Sequence, residues 1–208
     1  LPSYGKVKLR LTAVGDHLDA LRIPLQEQTQ KVLPLIKKYV FAVGSITLEE
    51  AIGKMLIAQQ KKVALAESCS GGYVAHSLTS IPGSSAYFQG AVVPYHNEFK
   101  EELLGIRHDT LVNHGAVSEQ TVIEMAEQVR MKMKADYGLA SSGVAGPGGG
   151  SEEKPVGTVW IAVAQQGHTE TQKLKLTRDR LLNIKLTSVA LLNLLRKQFP
   201  KEHQWVRA

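Results

Sequence analysis

The sequence carries a single cysteine, Cys69, in 208 residues. One thiol excludes an internal disulfide and a cysteine-based zinc cluster, and it fits a reducing, cytoplasmic setting. Long apolar runs are lacking too. None approaches the ~20 residues that span a bilayer, and no charged-then-apolar leader opens the chain, so no membrane partner is expected. No group of His, Cys, Asp and Glu has metal-ligand spacing, and no metal or cofactor is expected. The glycine-rich stretch 143–157 lacks the Gly-Lys-Ser/Thr ending of a Walker A loop and does not match the dinucleotide fingerprint. Residues 1–44 contain no Gly-x-x-Gly loop, which weighs against RNA binding by that segment.

What remains is ordinary globular material, 43% hydrophobic and 21% charged, enough for one sizeable core plus a small accessory unit. The net charge of +6 invites a nucleic-acid reading. Much of that excess lies in the tails, at Lys6, Lys8 and Arg10 and again at Arg196, Lys197, Lys201 and Arg207. A solvated basic surface accounts for it, and no nucleic-acid partner is expected. The sequence begins with Leu1 rather than Met and reads as a fragment of something longer.

Hydrophobic periodicity divides the chain. Residues 4–14 alternate polar and apolar as a half-buried strand does. His17 to Lys31 reads as an amphipathic helix that Pro24 should kink or shorten, and residues 39–43 as a second short strand. This β-α-β unit cannot bury much core alone, so residues 1–44 form an accessory subdomain that leans on a neighbour. From residue 45 the pattern resets. Thr47 and Glu50 make a capping box, and Leu48, Ala51, Ile52, Met55 and Leu56 follow at helical spacing. Strands are predicted at 63–66, 86–93, 136–142, 156–165 and 169–177, the last two a hairpin around Gly167. Helices are predicted at 72–79, 97–104, from a Ser118 cap onward, and from 179 to 199. Strands alternating with helices mean an α/β fold, a mixed sheet with helices on both faces. Function in such sheets sits in loops beyond the strand ends, and 67–72, 94–100 and 142–157 are the unusual ones.

The first of these loops runs Ala66-Glu67-Ser68-Cys69-Ser70-Gly71-Gly72, a buried strand feeding a helix through a tight polar turn. Free N–H groups at such a turn favour an anion or a developing negative charge. Ser68, Cys69 and Ser70 are its three candidate nucleophiles, and Glu67 is a supporting acid or a loop brace. A serine needs a base. His76 lies two helical turns on, too far along the axis. Nothing in the spacing singles out His96, His108 or His114, each read as a surface histidine. Lys100 lies one turn into a helix that also starts from a strand end, with Tyr95 before it to relay or orient a proton. A buried lysine of lowered pKa can act as a base, but the residues by themselves favour Lys100 as a solvated partner of Glu98 or Glu101.

Five stretches, taken in order and spacing, resemble one family: 66–72, Pro82-Gly-Ser-Ser-Ala-Tyr-Phe88, Tyr95-His-Asn-Glu-Phe-Lys100, Gly115-Ala-Val-Ser118, and 142–160 from Ser142-Gly143 to Trp160. It is the CinA (competence/damage-inducible protein) C-terminal domain family, which includes nicotinamide-nucleotide amidases. Residues 1–44 resemble the KH-type linker that precedes this domain in longer members, leaving 45–208 as the amidohydrolase domain. The resemblance implies hydrolysis of the carboxamide of nicotinamide mononucleotide to nicotinate mononucleotide and ammonia, with no cofactor. It implies Ser68 as nucleophile, Lys100 as base and Tyr95 as an assisting hydroxyl. Substrate contacts are carried to Glu67, Gly71, Gly72, Asn97, Ser142, Gly143 and Arg180, with Arg180 on the phosphate or nearby. A homo-oligomer is expected. Ser70 stands where the family has Thr, His96 where Ser is common, and Arg178 where the family has the Gly of Gly-Asp-Arg. The last is expected to alter the loop that carries Arg180. The competing reading is a silent family domain serving as a binding or oligomerisation module.

Overall fold

The computed structural model describes residues 2–3 and 5–207. Its centre is a five-stranded sheet built from β4 (Val63–Glu67), β5 (Phe88–Val92), β6 (Tyr137–Gly143), β7 (Thr158–Gln165) and β8 (His168–Lys175). The spatial order is β5-β4-β6-β7-β8. Both β5 and β6 run parallel to β4, whereas β6, β7 and β8 are antiparallel neighbours. The sheet is therefore mixed. The β7–β8 turn is closed by Gly167 at φ +75, a conformation only glycine adopts without strain.

Alternation along β4 decides which layer packs where. Val63 and Leu65 join one core with α2 (Leu48–Ala58), α3 (Tyr73–Thr79) and α7 (Arg180–Gln198). Ala64 and Ala66 join a second core with α6 (Glu119–Lys132), together with Ala140, Ala162 and Ala164. The second face is lined by small residues because α6 lies close against it. A Cβ on Gly138 would stand 2.0 Å from the Ala126 carbonyl oxygen. The result is a three-layer α/β/α domain.

Local signals in the sequence hold here. Thr47 and Glu50 form the reciprocal capping box, and Ser118 and Asp179 cap α6 and α7 by accepting from Thr121 and Leu182. The helix opened by α4 (Asn97–Phe99) continues as a π-helical turn, Lys100–Leu104. One element escaped the periodicity: α5 (His108–His114), seven residues with only Thr110 and Leu111 buried, too few for a stripe.

The N-terminal segment departs furthest from expectation. Of the strand predicted over 4–14, only β2 (Lys6–Val7) forms, pairing with β1 (Pro2–Ser3), and Tyr4 lies outside the described residues. Residues 8–17 lie in no helix or strand, because alternation yields a strand only where a second strand supplies the ladder. Helix α1 (Leu18–Ile36) runs through both Pro24 and Pro34 instead of stopping, and none of its residues is buried. The strand expected at 39–43 shrinks to β3 (Ala42–Val43), which pairs in parallel with β9 (Val206–Arg207) from the other end of the chain. Arg196, 2% exposed, donates to the carbonyls of Lys38, Val40 and Gln204 and ties both ends to α7.

Candidate active site

Parallel pairing of β4 with β5 and β6 carries the chain out of all three strands at the same end of the sheet, with Ala66 opposite Val92 and Glu67 opposite Ser141. The three unusual loops, 67–72, 94–100 and 142–157, thus begin side by side. Ser68 extends the β4 ladder by one bond, its N–H donating to the Ser141 carbonyl at 2.9 Å. By the two-residue period it continues on the face of Ala64 and Ala66. That is the face on which Leu104 and Ile106, just beyond Lys100, are buried.

Glu67 is fully buried, and its carboxylate accepts from the N–H groups of Gly72 (3.1 Å), Val74 (3.0 Å) and Ala75 (2.7 Å). The anion that the N-terminus of α3 attracts is therefore the protein's own. Glu67 is a brace, and no oxygen of it is turned over to a ligand by this arrangement. The same bonds revise the role expected of the two glycines. Gly72 donates to Glu67 and Gly71 donates to the Ser68 carbonyl at 3.1 Å, so neither N–H is left to face an oxyanion. What the turn needs from them is backbone geometry, φ +63 and +91. The N–H groups of Cys69 and Ser70 remain without a carbonyl or carboxylate acceptor among the described residues.

The turn is pinned from below by the Ser70 and Ser141 hydroxyls, 2.7 Å apart. Ser141 went unremarked in the sequence, although its position beside Ser142 on alternating faces of β6 was the available signal. Ser142 itself is 1% exposed and donates to the Ala116 carbonyl at 2.6 Å. Gly143 is required by packing, since a Cβ there would meet the Thr158 carbonyl oxygen at 2.7 Å. Burial pushes the Cys69 thiol up to about 12, so it stays protonated and is a poor nucleophile. The four histidines weighed as bases, His76, His96, His108 and His114, are all exposed.

Lys100 is 1% exposed. Its amine donates to the carbonyls of Pro94 at 2.9 Å and Tyr95 at 3.3 Å. The solvated pairing with Glu98 or Glu101 does not occur, and Glu101 instead meets His108 at 3.0 Å. Burial in apolar surroundings holds the Lys100 pKa below its ordinary value, with only the nearby Cys69 side chain acting the other way. A neutral amine has two N–H bonds and one lone pair. Here two carbonyls take the two N–H bonds, so the lone pair is left for a third direction.

Arg180 joins the second loop to the third. It donates to the Tyr95 hydroxyl at 2.7 Å and to the Gly146 carbonyl at 2.8 Å. Its field also reaches Cys69. Tyr95 and Asn97 are exposed, and Asn97 opens α4. The backbone of Arg178 is not left-handed and so does not itself call for glycine, the left-handed non-glycine residues among those described being Gln60 and Lys134. The glycine-rich loop is fastened at its far side by Lys154, whose amine donates to the His114 carbonyl at 2.7 Å. Among the described residues no group of three or more His, Cys, Asp or Glu side chains is placed to hold a metal ion, and no helix is long and apolar enough to cross a membrane.

The chain that carries this site has relatives among known proteins. The model of the CinA C-terminal domain matches residues 45–199. The chain belongs to the CinA C-terminal domain family. A CinA-like protein of Cytophaga hutchinsonii is 51% identical over 198 residues, which are 95% of this chain and 47% of that protein. Another from Amoebophilus asiaticus is 47% identical over 95% of this chain and 48% of its own length. The chain thus spans about half the length of these relatives. Among solved structures, a CinA superfamily protein of Klebsiella pneumoniae superposes with TM-score 0.70 at 34% identity, covering 76% of this chain and 95% of the other. The competence/damage-inducible protein CihA of Agrobacterium tumefaciens gives 0.68 at 34% identity, over 74% of this chain and 96% of its own.

Proposed function

We propose that this CinA-type domain is an amidohydrolase that converts nicotinamide mononucleotide to nicotinate mononucleotide and ammonia through a Ser68–Lys100 dyad. The observation that carries the reading is Lys100: an amine buried to 1% exposure that donates to two loop carbonyls and has no carboxylate paired to it. A solvated or structural lysine keeps its proton and seeks an anion, whereas a base must give the proton up near neutral pH.

In this mechanism neutral Lys100 takes the Ser68 proton as the hydroxyl oxygen attacks the amide carbon. The N–H groups of Cys69 and Ser70 hold the oxyanion, and Glu67 keeps the turn in shape behind them. Collapse of the tetrahedral intermediate expels ammonia, with the proton returned by Lys100. Water, deprotonated by the same amine, then cleaves the Ser68 ester and releases the acid. Arg180 supplies the charge for the substrate phosphate. Residues 1–44 are read as a KH-type linker and 45–208 as the hydrolase domain.

Ammonia release from the mononucleotide by the purified chain, compared with Ser68→Ala and Lys100→Ala, is the test. Each variant is expected to lose at least about a thousandfold in kcat. Near wild-type release by either one would break the dyad, and no release by the wild-type chain would leave the silent binding module as the better account.

A further inference from the structure

The Tyr95 hydroxyl is engaged by Arg180, and the ring has a setting of its own. Tyr95 is 56% exposed, on the loop whose carbonyls hold the buried amine of Lys100. It is nonetheless held in place. The Tyr95 N–H donates to the Val93 carbonyl at 2.9 Å, its carbonyl accepts from Lys100 at 3.3 Å, and its hydroxyl accepts from Arg180 at 2.7 Å. Neither face carries another aromatic ring or a cation among the described residues. Among the described residues, the ring contacts are Tyr73 with His76 and Tyr137 with Phe199. The cations seated over rings lie on Tyr39, Trp160 and Trp205. Arg180 meets the ring at its hydroxyl edge and is not seated over a face.

The base and the Tyr95 hydroxyl are also separate in this arrangement. Lys100 bonds to the carbonyl of Tyr95, and the hydroxyl bonds to Arg180, so no hydrogen bond joins phenol to amine. A phenol relaying the base's proton would need that bond. What the geometry offers instead is a rigid, exposed aromatic face beside a cation suited to a phosphate.

We propose that Tyr95 is a stacking shelf, whose ring face binds the flat, positively charged pyridinium ring of a nucleotide substrate. This rests on the amidase reading and names what its site recognises. The face of a tyrosine ring carries negative charge density that attracts a planar cation, and a ring fixed at both ends loses little freedom when it stacks. Arg180, at the hydroxyl end of the same ring, then meets the phosphate of the same ligand.

The test compares wild type, Tyr95→Phe and Tyr95→Leu, with kcat and KM from ammonia release and Kd from calorimetry in the Ser68→Ala background. The ligands are nicotinamide mononucleotide and ribose 5-phosphate, which has the phosphate without the ring. Tyr95→Leu is expected to raise KM and Kd for the mononucleotide about tenfold or more, mainly through KM. It should leave Kd for ribose 5-phosphate within about threefold, as a sequence-wide loss of fold would not. Tyr95→Phe keeps the face and loses the Arg180 bond, and it should recover most of the mononucleotide affinity. A kcat loss in Tyr95→Phe as large as in Tyr95→Leu would overturn the shelf in favour of proton chemistry at the hydroxyl. Unchanged mononucleotide Kd in Tyr95→Leu would overturn it as well. If wild type binds the mononucleotide but releases no ammonia, the amidase reading fails while the two Kd ratios still judge the shelf.

Discussion

At the scale of single residues the decisive group is Lys100. Burial opposes its charge, so the folded chain releases that proton at lower pH than the unfolded chain, whose lysine titrates near 10.5. Between the lowered value and 10.5 the unfolded state binds more protons, and stability rises with pH on this account. Cys69 acts oppositely: raised from 9.0 to about 12, it removes stability as pH climbs above 9.0, because only the unfolded thiol then ionises. Activity reads Lys100 more cleanly. Because the base works only when neutral, kcat/KM for ammonia release should increase tenfold per pH unit below the lowered pKa and level off above it. A profile measured from pH 5.5 to 9.5 checks this. A rate that falls steadily as pH rises across that range would mean that Lys100 does not act as the base.

The turn between β4 and α3 belongs to the scale of elements. Its shape depends on three N–H bonds to one buried carboxylate, since α3 is seven residues long and has no side-chain cap of its own. Substituting Glu67→Ala leaves Val74 buried with an unsatisfied N–H and removes charge-assisted bonds worth about 1.5–3 kcal/mol each when made. We expect a loss of about 3 kcal/mol in urea unfolding, together with a kcat decrease at least as large as that of removing one oxyanion donor. Full activity in Glu67→Ala would show that the turn holds its shape without the brace. The sequence had marked Glu67 as important but left its role between acid and brace. Only the positions of three amides choose, and they are set by how α3 docks on the sheet.

For the whole molecule the question is how the two ends of the chain are attached. Strands β3 and β9 are two residues each, and α1 contributes no buried residue, so residues 37–43 and 200–207 depend on few contacts. Arg196 provides several of them, a guanidinium with 2% exposure whose partners are the side chain of Asn193 and the carbonyls of Lys38, Val40 and Gln204. Replacing it by methionine keeps the apolar stem and deletes the donors. Amide exchange is expected to speed up at least tenfold in residues 40–43 and 204–207, with β4, β6 and β7 unchanged. Equal acceleration across the central sheet would mean that Arg196 supports the whole core rather than the junction.

The domain from residue 45 onward was legible because its information is local. The capping box at Thr47 and Glu50, the Ser118 cap, the apolar stripes and the apolar run of β7 are written in near neighbours, and each formed where the sequence put it. The candidate loops were legible for the same reason, as breaks between such elements. Residues 4–14 show the limit: alternation specifies which side is apolar, but a ladder needs a second strand, and among the described residues only Pro2–Ser3 supplies one. By itself, then, the sequence determined most elements from residue 45 onward, the family, and the three loops that meet at one end of the sheet. Tertiary structure alone decided that Lys100 is buried rather than solvated, that the glycine N–H groups are already taken, and that Arg180 bridges Tyr95 and Gly146. Burial and hydrogen-bond partners are properties of which surfaces meet, and residues 85 positions apart meet only once the sheet has brought them together.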